Sequence, residues 1–71
     1  MSRHDPLTPD ELAVMDAVRS RHPTAWRSIV LRVWDGQLPT GTARLLGDEG
    51  AATLQRMKRT RGTVWLGSYK P

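Results

Sequence analysis

The chain has no cysteine in its 71 residues, which removes disulfide frameworks and thiolate metal sites together and fits a reducing compartment. Long apolar runs are also missing. No stretch approaches the roughly 18 apolar residues of a membrane span, and the opening MSRHDPLTPDEL lacks the apolar segment of a secretory signal. The expectation is a cytoplasmic protein with no membrane role. Acidic side chains are scarce in one place only. Residues 1–35 balance five basic against five acidic side chains, whereas residues 36–71 carry six basic (Arg44, Arg56, Lys58, Arg59, Arg61, Lys70) against two acidic (Asp48, Glu49). The whole net charge of +4 therefore lies in the second half. Such asymmetry suits a polyanionic partner, because each phosphate neutralised releases condensed counterions. It equally describes the solvated basic face of a small soluble domain.

Recognisable catalytic patterns are absent too, and the sequence points to no enzyme and no cofactor. His4 lies near the start and His22 precedes Pro23, and neither has a second ligand at metal-binding spacing. Asp10 and Glu11 are adjacent, which on a helix turns them apart and fits capping rather than paired acid-base work. Ser20, Ser28 and Ser68 stand in no nucleophile motif, and the glycines form no phosphate loop.

At this length the chain has room for one domain, which buries only about 60% of the surface exposed when unfolded. Its pattern predicts an all-α fold, a small three- to four-helix domain over 7–62, after a frayed start at 1–6. The first helix begins at LTPDEL. Thr8 caps, Pro9 takes the first helical position, Glu11 completes a capping box, and Leu7 and Leu12 stand where a hydrophobic staple places them. Leu12, Met15 and Val18 are the expected core face. In the second helix Trp26, Ile29, Val30, Val33 and Trp34 fall at helical spacing on one stripe, more simply a core than a stacking platform, and Asp35-Gly36 ends it. A short third helix runs from Pro39 or Thr40 to Leu46, with Leu45 and Leu46 inward and Gly47 as terminator. A fourth runs from about Glu49 to Thr60 and stops at Gly62. The last stretch, 63–71, is an extension that reads either as a wing-like strand or as a further packed turn.

The fourth helix has two expected duties. Leu54 and Met57 anchor one side, while Ala52, Gln55, Arg56 and Arg59 form the other, with Lys58 on the flank. A major groove about 12 Å wide admits a helix of this kind; Gln bonds bidentately to an adenine edge, and Arg to guanine or phosphate. In VLRVWDGQLPTGTARLLG, Asp35-Gly36 is followed by Ala43, Leu45, Leu46 and Gly47. The segment resembles the start of the helix-turn-helix in region 4 of bacterial sigma factors and in region-4-like small phage transcription regulators, including late-gene antiterminators. ATLQRMKRTRG resembles the recognition helix that follows.

The resemblance covers about residues 25–62 and implies a small DNA-binding transcription regulator, plausibly phage-encoded. Ala52, Gln55, Arg56 and Arg59 would read duplex DNA, and Thr40, Arg44 and Lys58 would meet phosphates. RNA polymerase is the implied protein partner, and a homodimer is the other route to adequate affinity. The alternative is a small phage inhibitor that binds a host protein, RNA polymerase or a defence nuclease, without DNA. Trp65 and Tyr69 would be its interface anchors, being residue types enriched in hot spots, although closing the core is the simpler reading of Trp65.

Overall fold

A computed structural model describes residues 6–69. Among them it shows four helices and no strand: α1 (Pro9–Arg21), α2 (Trp26–Trp34), α3 (Thr40–Arg61) and α4 (Thr63–Ser68). His4, Lys70 and most of the frayed start expected at 1–6 lie outside the described residues. Pro6 lies inside them, and its carbonyl accepts a hydrogen bond of 3.1 Å from Arg61 Nη2.

The α1 start follows the local code. Thr8 Oγ1 accepts from the Glu11 amide at 3.2 Å, and Glu11 Oε1 accepts from the Thr8 amide at 2.9 Å, so two of the donors that every helix start leaves unpaired are satisfied reciprocally. The core stripe differs from expectation. Leu12 is 47% exposed, and the buried positions are Glu11, Val14, Met15 and Val18. One residue turns a helix by about 100°, so the buried face centres on positions 11, 15 and 18 and carries a charged group inward.

In α2 all five stripe residues are buried. The helix closes at Gly36, whose φ of 85° lies in the left-handed region; the Gln37 amide then donates to Arg32 O at 2.8 Å. Two helices were expected between Thr40 and Gly62. They are present as two arms of α3 that meet at Gly47 without an intervening loop. Gly47 has φ 69° and ψ 178°, a combination open essentially to glycine alone. The first arm buries Thr42 and half-buries Leu46, whereas Leu45, expected inward, is exposed. The second arm buries Gly50, Thr53, Leu54, Met57 and Arg61. At Gly50 an added Cβ would stand 3.0 Å from Leu46 Cβ, so the missing side chain is what lets the second arm pack this closely on the first; Val14 Cγ2 of α1, at 3.7 Å, would be in ordinary contact.

The core joins Val14, Met15 and Val18 of α1 and the α2 stripe to Leu54 and Met57 of α3 and Trp65 and Leu66 of α4. The extension at 63–69 thus belongs to the same core, and the open choice between strand and packed turn resolves as a short helix.

Glu11 and Arg61, fifty positions apart, pair inside this core. Arg61 Nη2 donates to Oε1 at 2.7 Å and Nε to Oε2 at 3.2 Å, a two-pronged geometry, with the side chains 4% and 0% exposed. The Arg61 hydrogen bonds hold the Glu11 carboxyl below its ordinary value of 4.5; burial pushes the other way, and the Thr8 amide adds to the lowering. A group depressed in the folded state adds stability above its unfolded pKa and loses it as pH falls through the folded one. The urea midpoint is therefore expected to fall below about pH 4.5, and more steeply in the wild type than in Glu11→Gln. Parallel acid limbs in the two proteins would refute the assignment.

Candidate nucleic-acid interface

The second arm of α3 turns three ways. Leu54, Met57 and Arg61, spaced at i, i+3 and i+7, face the core. Ala52, Arg56 and Arg59 lie on the exposed side, behind the exposed acids Asp48 and Glu49. Ala51, Gln55 and Lys58 are half-buried between these faces.

That third direction corrects two assignments. Gln55 Nε2 donates to Val33 O, and Lys58 Nζ donates to Trp34 O at 2.8 Å. Gln55 was expected on a base-reading face and Lys58 on a phosphate; instead both donate to the last carbonyls of α2, of which Val33 O also accepts from the Gly36 amide at 3.0 Å. An ammonium at that position also suits the negative pole of α2. Trp34 Nε1 adds a bond of 2.8 Å to Leu54 O, so the end of α2 is fastened to the second arm by three side chains.

The remaining basic residues stay available. Thr40, Arg44, Ala52, Arg56 and Arg59 are all exposed. The guanidinium groups of Arg44, Arg56 and Arg59 enter no ion pair or hydrogen bond among the described residues. The stripe is not uniformly positive: a groove of about 480 Å³ beside it brings Asp10 of α1 and Glu49 alongside Ala52 and Arg56. Acids at the start and arginines at the end also match the helix dipole. The exposed guanidinium charge is therefore concentrated toward the last two turns, with Arg44 on the first arm.

Trp65, for which a core-closing place and an interface anchor were both open, is 5% exposed and joins the core. Tyr69 is half-buried against it, with ring centroids 5.0 Å apart, and meets Trp26 edge-on at 5.6 Å. The Tyr69 carbonyl accepts from Arg27 Nη2 at 3.1 Å. This aromatic pair fastens α4 to the start of α2 and offers no docking surface of the kind expected.

The Arg61 pairing is not local, and by composition alone the basic end of α3 looks like one solvated cluster. The signal lay in the spacing: Arg61 continues the Leu54 and Met57 stripe, and Glu11 sits four before Met15. Among the described residues no three His, Cys, Asp or Glu side chains gather as a metal site, and no helix is long and apolar enough to cross a membrane. No protein-family model, no curated protein and no solved structure matches the chain.

Proposed function

We propose that this protein is a small duplex-DNA-binding regulator that uses the exposed edge of α3. The observation that carries this reading is the set of exposed, unpaired guanidinium groups of Arg44, Arg56 and Arg59 on two arms that meet at Gly47. The likeness of 25–62 to sigma region 4 and to region-4-like phage regulators supports it. With Gln55 committed to α2, base discrimination rests on the Ala52 methyl, which fits a thymine methyl, and on any arginine that reaches guanine. So few base contacts make a second protein or a second copy necessary for site-specific affinity, and RNA polymerase is the partner consistent with the resemblance. The inhibitor alternative has less support, because Trp65 is buried and Tyr69 half-buried against it.

Three phosphate contacts give a log-log salt slope of about −2.7 per chain. Fluorescence anisotropy on a labelled duplex across a salt series should therefore show a slope shallower by about that amount in Arg44→Gln/Arg56→Gln/Arg59→Gln. A flat wild-type response, or an unchanged slope in the triple variant, refutes the proposal.

A further inference from the structure

A second groove, of about 300 Å³, lies where the end of α1, the side of α2 and the start of α3 converge. Arg21 and His22 enter its wall from α1, Ile29 and Arg32 from α2, and Gly41 and Thr42 from α3. No acidic residue lines it. We propose that this groove binds a phosphate group, held between the Arg21 and Arg32 guanidiniums with His22 as a further donor.

Three observations carry the assignment. The guanidiniums of Arg21 and Arg32 come from different helices, and neither enters an ion pair or hydrogen bond among the described residues. Two like charges brought to one cavity repel, and an anion between them removes that cost while using the planar forks that match phosphate oxygens. Arginines in a last helical turn often serve the helix dipole, but at α2 that role is already filled. Lys58 and Gln55 occupy the final carbonyls, which leaves the Arg32 charge uncommitted. Finally, Gly41 is exposed, and a Cβ there would meet nothing within 4 Å, so this part of the groove wall leaves room for a ligand. His22 lines the groove and is half-buried.

Gly41 also supplies a clean perturbation. It occupies the second helical position of α3, where a glutamate raises helix propensity and suits the positive pole. Gly41→Glu therefore preserves the fold while placing a carboxylate in the groove.

The test is a titration of isotope-labelled protein with inorganic phosphate at constant ionic strength, followed by NMR. Saturable shifts are expected at the Arg21 and Arg32 side chains and at the Gly41 amide, and the Gly41 shift should be lost in Arg21→Gln/Arg32→Gln. In Gly41→Glu the side-chain shifts should be lost while the thermal midpoint is kept. Absence of saturable shifts there, or their persistence in both variants, overturns the proposal.

A second arm identifies the source of the phosphate. If it is the DNA backbone, the duplex salt slope becomes shallower by about 1.8 in Arg21→Gln/Arg32→Gln, two contacts at about 0.9 each. An unchanged slope beside a saturable phosphate titration assigns the site to a free phosphate compound. Because the titration needs no duplex, its outcome is separable from the fate of the Arg44, Arg56 and Arg59 proposal.

Discussion

Arg61→Met is expected to cost about 3–5 kcal/mol, the penalty for leaving one member of a buried ion pair without its partner. At 0.05–0.15 kcal/mol per residue, a chain of this length has roughly 4–10 kcal/mol in total. One substitution on the basic end of α3 therefore threatens the whole fold. The cost arises on the Glu11 side: its carboxylate is 4% exposed and would keep only the Thr8 amide as a donor. The Pro6 carbonyl loses a partner as well. Removing both charges should be milder than removing one, because apolar groups of similar volume often replace buried pairs without loss. Glu11→Met/Arg61→Met is accordingly expected to recover much of the loss, less about 1 kcal/mol for the broken capping box. Urea denaturation of the four proteins closes a double-mutant cycle. Wild-type stability in Arg61→Met would show that the pair does not exist in solution.

Trp65→Ala should cost a further amount of the same order, about 3–5 kcal/mol for truncating a buried tryptophan. The ring fills the junction of α4 with the core. It stacks on Tyr69, and the Arg61 guanidinium lies 5.5 Å from its centroid. Since each kcal/mol moves the midpoint of a domain this small by about 4–8 °C, a fall in Tm of more than about 12 °C is expected. An exposed interface tryptophan would behave differently, because surface substitutions usually stay within about 0.5 kcal/mol. Calorimetry on Trp65→Ala beside the wild type thus separates a core role from the docking role that the sequence also allowed.

What the sequence disclosed was largely local. Thr8, Pro9 and Glu11 fix the start of α1 through bonds that span three residues, and the α2 stripe needs only helical spacing. Gly36, Gly47 and Gly62, all at positive φ, mark the boundaries because backbone sterics act at a single residue. The failures share a different cause. A helical wheel gives the direction of a side chain but not what stands in that direction. Gln55 and Lys58 point toward the end of another helix, and Glu11 points toward an arginine fifty positions away. Leu12 and Leu45 are apolar yet exposed, because the faces of α1 and of the first arm are set by where α3 bends. The short α4 had too few residues for periodicity to choose between helix and strand.

The bend at Gly47 also bears on recognition. Arg44 lies on one side of it and Arg56 and Arg59 on the other, so the span between these charges depends on a single pair of torsions. A residue with a Cβ would have to abandon that pair, re-aiming Arg44 relative to its neighbours while every charge stayed in place. The footprint offered to a duplex could in this way be redrawn from a position that carries no charge at all.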